Sequence, residues 1–440
     1  MMKRLFLVAA LTGTGHLVNL ISLKVMTNYA NLETIAFIGE LDSLALLILS
    51  ITAFGLQLSS TREIAVREHD WQRVYYSTQS ARLTMALLLM FLGLSGFLYT
   101  KNYLFFIAPM IALNADYALY GIGKPVLGAM VSFIRVIIPS LTIILGSIYF
   151  LNSLPLFFCL SILVAYFAAG LTVSKILHVN YLVKPKIKSL LEYVKNIKIG
   201  LANLAYFFVG IGIITILSHI NSEVTISVAY MALKLYMIFI GVRRIIVQSF
   251  FKEIKELQQA LKVDFLSMVS AIIFLSAFLF YPEVAISLIF DDSYIEFSTT
   301  FVVLGVAAFV SAATSSSGAR LLLHNKDKQF SANFIVGAIV TICSGICFSY
   351  FIADRPSLVV LSCLLGELTI SILNIFSLKE KNFLMDRFKI IYPVVLMALV
   401  FYIIKMAFNE NIWSFGVSIF LFSVLALLHS RRVLNSKLLS

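Results

Sequence analysis

Long apolar runs dominate this chain, separated by short polar or charged breaks. About 20 apolar residues cross the ~30 Å hydrocarbon layer of a bilayer as a helix. On that measure the runs predict fourteen spans: 5–26, 35–58, 82–100, 103–123, 126–150, 154–176, 199–220, 224–242, 264–281, 298–319, 329–352, 356–378, 389–407 and 412–429. The breaks at 101–102 and 220–223 are the weakest, being short and polar. The first run begins after Lys3-Arg4 and continues to Met26, past the length of a signal core. No small-residue cleavage pattern follows, so it reads as a span rather than a leader. The expected fold is an all-α polytopic membrane protein.

Composition agrees. Of 440 residues 60% are hydrophobic and 13% charged, against about 25% charged in soluble domains. Mean hydropathy is strongly positive. A water-soluble enzyme, a disordered chain and a nucleic-acid binder are excluded, despite a net charge of +12.

The cations fall on one side. Of the 34 Lys and Arg, Lys101 and Arg355 lie in one set of alternate loops, and Lys24, Arg135, Lys234 and Lys405 lie inside spans. The remaining 28 fall at the termini or in the other loops, among them Arg62, Arg67, Arg73, Arg82, Lys252, Arg320, Lys381, Arg387 and Lys437. Cytoplasmic loops carry such an excess. Both termini are therefore expected in the cytoplasm, with the chain a multi-pass membrane protein.

The spans group as two six-helix bundles, 1–178 and 199–378, then an extra helix pair and tail at 379–440. Repeated bundles are common in transporters, with the substrate site near the midplane. The basic stretch 179–198 links the bundles. Leu190, Leu191, Val194 and Ile197 there suit a helix lying on the membrane, with lysines towards anionic headgroups. A solvated basic linker fits the residues equally well.

Charges inside spans carry the functional signal. Each costs roughly 2.5–3.5 kcal/mol at a helix centre on insertion scales, so it faces a cavity or a partner. The candidates are Lys24, Glu40, Asp42, Asp116, Arg135, Lys234 and Glu367. Lys405 is close enough to a helix end to snorkel. Counting depth along the helices, Lys24 lies level with Glu40, Asp116 with Arg135, and Lys234 with Glu367. Structural ion pairs explain this matching. So does a hydrated cavity whose cations (Lys24, Lys234, Arg135) grip an anionic substrate and whose acids (Glu40, Asp42, Asp116, Glu367) bind a coupling ion. The two accounts are compatible. His16, Asn19 and Ser22 form a polar stripe, either a cavity lining or a hydrogen-bond seam. The Thr314–Gly318 run is expected to let helices approach closely.

Catalytic signals are lacking. No Walker loop, nucleotide fingerprint, HExxH or GxSxG occurs. Cys159, Cys343, Cys347 and Cys363 sit in apolar stretches without metal spacing and read as small core residues. No metal and no cofactor is expected; a proton or sodium gradient is the candidate energy source.

Three segments resemble a known family. FGLQLSSTREIA at 54–65 is similar to the end of its second helix. NADYALYGIGKP at 114–125, followed by Arg135, is similar to its fourth-helix pattern. YPEVAISLIFDDSYIEF at 281–297 resembles the element before helix ten, and LLLHNKDKQ at 321–329 the polar turn after it. The family is the Wzx-type O-antigen/polysaccharide flippases of the multidrug/oligosaccharidyl-lipid/polysaccharide (MOP) exporter superfamily. The Gly usual after the Leu-Phe pair of the third segment is replaced here by Ile289-Phe290-Asp291.

The resemblance implies a function. Such proteins move an undecaprenyl-pyrophosphate-linked oligosaccharide from the cytoplasmic to the periplasmic leaflet by alternating access. Superfamily relatives carry cations on helices one and eight, where this chain has Lys24 and Lys234. The resemblance also implies a polysaccharide polymerase and a chain-length regulator as partners, and no nucleic acid. Two alternatives stay open. A drug/cation antiporter of the same superfamily would have an acid-dominated cavity. An O-antigen polymerase or ligase would need a large external loop bearing catalytic residues.

Overall fold

A chain in hydrocarbon must satisfy every backbone donor and acceptor from within, and a helix does so segment by segment. The computed structural model describes residues 2–66, 70–100, 103–250, 253–379 and 383–435, and every regular element in them is helical. Arg67, Lys101, Lys252, Lys381, Lys437 and the break at 101–102 lie outside the described residues.

The helices are α1 (Met2–Tyr29), α2 (Leu32–Ala53), α3 (Leu56–Val66), α4 (Trp71–Thr100), α5 (Ala108–Ala112), α6 (Asp116–Gly121), α7 (Pro125–Tyr149), α8 (Leu154–Leu177), α9 (Leu191–Lys195) and α10 (Ile197–Val209). They continue as α11 (Ile213–Leu217), α12 (Glu223–Ser249), α13 (Leu257–Phe280), α14 (Pro282–Ile289), α15 (Ser298–Ala313), α16 (Ser317–Leu323), α17 (Asp327–Phe351), α18 (Pro356–Leu378), α19 (Phe383–Phe408) and α20 (Ile412–Asn435).

Among the described residues, eleven stretches are long and apolar enough to cross a membrane, against the fourteen expected. The expected spans 5–26 and 82–100, outside that set, are helical in α1 and α4. The expected span 199–220 is interrupted between α10 and α11, where Gly210 and Gly212 flank Ile211.

The chain divides into two compact units, Met1–Phe207 and Phe208–Ser440, with the boundary inside α10. In the first unit α1 packs along α7, and α7 along α8. In the second, α17 packs along α18, and α13 lies against α15, α19 and α20. The extra helix pair therefore rests on α13.

One close approach shapes the first unit. Gly55, between α2 and α3, has φ +76°, and a Cβ there would sit 2.7 Å from the Gly200 backbone nitrogen. Only glycine meets both demands without strain. The four cysteines are free. Cys363 is buried as expected of a core residue, but Cys343 and Cys347 are exposed on α17.

Candidate functional site

Hydropathy cannot reveal whether a crossing is continuous, and the fourth expected span of each bundle is broken. In the first unit the fourth expected span, 103–123, runs through α5, stops at Leu113–Ala115 and resumes as α6. In the second unit the equivalent span, 298–319, stops after α15 at Thr314–Ser316 and resumes as α16. The Thr314–Gly318 run thus makes a helix break, and it also meets α18, where Thr314 Oγ1 lies 2.8 Å from Ser371 Oγ. Interrupted segments at matching places in two halves are the best pointer to a transporter's binding site. Backbone freed inside a membrane must be satisfied by protein or face water.

The same turn closes both broken spans. Lys124 N donates to Leu119 O and Lys326 N to Leu321 O, each at 2.8 Å. The left-handed position is Gly123 in one (φ +79°) and Asn325 in the other (φ 56°).

Side chains from neighbouring helices stitch each break. In the first unit α4 supplies Arg82, whose Nη1 donates to Asn114 O, and Gln79, whose Nε2 donates to Leu113 O at 3.4 Å. Three residues apart, both face the break. Arg82 is fully buried and also stands 5.8 Å from the Tyr117 ring centroid. Its Nε and Nη2 have no hydrogen-bond partner, nor do the Asn114 amide atoms.

Just beyond the break, Asp116 opens α6. Arg135 Nη2 lies 2.7 Å from Asp116 Oδ2, and Gln57 Nε2 donates to Asp116 Oδ1 at 3.1 Å. Ser132 Oγ lies 3.4 Å from Oδ2 and accepts from Arg135 at 3.0 Å. The guanidinium is also 5.8 Å from the Tyr166 ring, and Asp42 acts electrostatically on Tyr166. Asp42, Asp116, Arg82 and Arg135 therefore belong to one charged, largely buried neighbourhood of the first unit. Asp116 and Arg135 stand together, as their matching depth suggests.

In the second unit Asp264 of α13 does the stitching. It accepts from Ser316 N at 2.7 Å, from Ser315 Oγ and Ser316 Oγ at 2.9 Å each, and from Arg387 of α19. Arg387 also donates to Ala313 O at 3.1 Å. Glu367 is buried nearby on α18, where it accepts from Tyr236 OH at 2.6 Å and Ser311 Oγ at 3.1 Å. Ser311 lies one turn before the break, and its carbonyl accepts from Arg243 at 3.2 Å.

The remaining candidates are spread along the helices. Lys234 is half-buried on α12, 5.9 Å from the Tyr230 ring. Lys24 and Glu40 are half-buried near the ends of α1 and α2 that adjoin in sequence. Of the polar stripe on α1, Ser22 Oγ donates to Asn19 O at 2.7 Å, and His16 Nε2 is buried without a partner.

Arg82, Arg320 and Arg387 correct the reading from sequence. Taken there as loop cations, all three are buried within helices. Each lies at the edge of an apolar run, where sequence alone does not separate a loop residue from the first turns of a helix. Asp264 escaped notice for the same reason.

No protein-family model matches the chain. Over 105 residues it is 30% identical to a "Putative O-antigen transporter" of Shigella dysenteriae. The match covers 23% of this chain and spans about a quarter (26%) of that relative. Among solved structures it is similar to the lipid II flippase MurJ in an inward closed conformation. There the TM-score is 0.67 at 16% identity, covering 99% of this chain and 100% of that one. A mutant form of MATE matches with a TM-score of 0.51 at 15% identity, covering 88% and 94%. The chain thus shares its fold with these two solved proteins.

Proposed function

We propose that this protein is a flippase for a lipid-linked oligosaccharide of the undecaprenyl-pyrophosphate class, an O-antigen repeat unit. It moves the headgroup from the cytoplasmic to the periplasmic leaflet by alternating access. The observation that carries the reading is the full-length likeness to a lipid II flippase. The partial match to an O-antigen transporter supports the choice of substrate.

The physics is consistent. A sugar-pyrophosphate head cannot cross hydrocarbon unaided, whereas its lipid tail can stay in the bilayer. Lys24, Lys234 and Arg135 offer the cations that a pyrophosphate needs. Arg presents planar paired donors to phosphate oxygens and Lys a compact charge. Each charge held at membrane depth requires a partner, so Asp116 neutralises Arg135 until substrate displaces it. Glu40, Asp42, Asp116 or Glu367 couples the cycle to a proton or sodium gradient. The protein works in the inner membrane with both termini cytoplasmic, and delivers its product to a polymerase.

The test is reconstitution. Proteoliposomes holding the full chain and a fluorescent undecaprenyl-pyrophosphate oligosaccharide should make the inner-leaflet fluorophore accessible to an external reductant. A rate equal to that of empty liposomes, together with uptake of a cationic dye, would show a drug/cation antiporter instead.

A further inference from the structure

The stretch between α8 and α10 is two-faced, and its two faces have different surroundings. One face is bonded to the first unit. Asn180 N donates to Tyr76 OH at 3.2 Å, and Ser80 Oγ to Lys184 O at 2.9 Å. Lys186 N donates to Thr84 Oγ1 at 3.0 Å, and Tyr193 OH to Thr52 O at 2.6 Å. Tyr193 is buried, and Leu190 packs with it against Leu56, Ala81, Phe54 and Met85. The backbone from 180 to 193 is therefore fixed across the C-terminal end of α2 and the N-terminal part of α4. That is the end of the first unit where the apolar runs of α2 and α4 give way to polar sequence.

The other face is apolar and uncovered. Leu182 is 70% exposed, Ile187 81%, Leu191 61% and Val194 64%. Ile187, Leu191 and Val194 are spaced four and three residues apart, one face of a helical turn. A soluble surface would not keep such residues bare at the rim of a bundle. Lys184, Lys186, Lys188, Lys195 and Lys198 flank them, all exposed. Glu192 is the one acid in 179–198, and Lys195 takes it at 2.8 Å.

We propose that residues 182–198 form a docking surface for anionic lipid, with Ile187, Leu191 and Val194 seated in the headgroup–acyl boundary and the lysines on lipid phosphates. Charge complementarity selects the occupant. Apolar side chains rimmed by lysines suit an anionic leaflet, and a zwitterionic one answers only the apolar half. The segment arrives already fixed in place, so docking orders no new backbone. This inference stands on the segment alone, whatever the chain transports.

The test is amine acylation footprinting of the full chain in vesicles, read by mass spectrometry of peptides. Vesicles of phosphatidylcholine alone are compared with vesicles of phosphatidylcholine mixed with phosphatidylglycerol. Labelling of Lys184, Lys186 and Lys188 should fall about fivefold in the anionic vesicles, the change expected for one lysine held at an anionic surface. Exposed Lys328 should change little, and high salt should restore labelling. The double variant Leu191→Glu/Val194→Glu, at exposed positions, should lose the protection. Labelling indifferent to lipid charge overturns the proposal. So does protection shared equally by Lys328, protection retained by the double variant, or protection reproduced by inorganic phosphate over phosphatidylcholine.

Discussion

Arg135 and Asp116, nineteen residues apart in sequence, meet at 2.7 Å across the turn that joins α6 to α7. Removing one partner of a buried pair leaves a charge stranded and costs about 3–5 kcal/mol, whereas replacing both with apolar residues is often neutral. Asp116→Ala should therefore lower thermal stability by about 3 kcal/mol in detergent. Asp116→Leu combined with Arg135→Met should melt near the wild type yet fail to translocate lipid. A double variant that still translocates would make the pair purely structural.

Lys24 and Lys234 are half-buried cations on helices. Lys24→Ala and Lys234→Ala should each insert normally and abolish translocation in the reconstituted assay. Lys234→Arg keeps the charge near the Tyr230 ring and should retain part of the rate. Wild-type rates in both alanine variants would remove the anion-gripping role.

Arg82 satisfies the Asn114 carbonyl at the first helix break. Arg82→Met keeps the length of the side chain and removes the donor. An orphaned buried acceptor costs about 1–3 kcal/mol. Hydrogen exchange at 113–118 should rise well above that in the rest of the first unit. Unchanged exchange would mean that the break is held by other contacts.

Gly55 combines a positive φ with contact against the Gly200 backbone. Gly55→Ala adds a left-handed penalty of about 1–2 kcal/mol, and on top of it a steric clash. Gly200→Ala would drive its Cβ into the Phe54 ring. Both should lower the folded yield in fluorescence-detected size exclusion, Gly55→Ala by more than a Gly123→Ala control. At Gly123 φ is also positive, but the space is open.

How legible was this in the sequence? Eleven of the fourteen expected crossings were, because an apolar run of membrane thickness is a one-dimensional signal. The Asp116–Arg135 pair was too, because a tight turn fixes the register of two adjacent helices. The breaks at 113–115 and 314–316 were not. Leu-Asn-Ala and Thr-Ser-Ser differ little in hydropathy from tolerated helix interiors, and the side chains that satisfy the interruptions, Arg82 and Gln79 in one and Asp264 and Arg387 in the other, are distant in sequence. Arg82, Arg320 and Arg387 were misjudged because a cation at the edge of an apolar run looks the same whether it snorkels or turns inward. Cys343 and Cys347 face outward because lipid accepts them as readily as a core does.

Tyr193 reaches back 141 residues to Thr52, and Ser80 waits 109 residues for Ser189. During synthesis, then, α1 to α8 are made before the strap that bonds to them has left the ribosome. Until Gly200 emerges, the backbone at Gly55 has no cover and the Thr52 carbonyl lacks its phenol. A nascent chain stalled at residue 178 would carry these gaps in its bundle, open to the insertase and to membrane proteases. The stretch that reads as a connector in sequence is the closing step of the first unit's assembly.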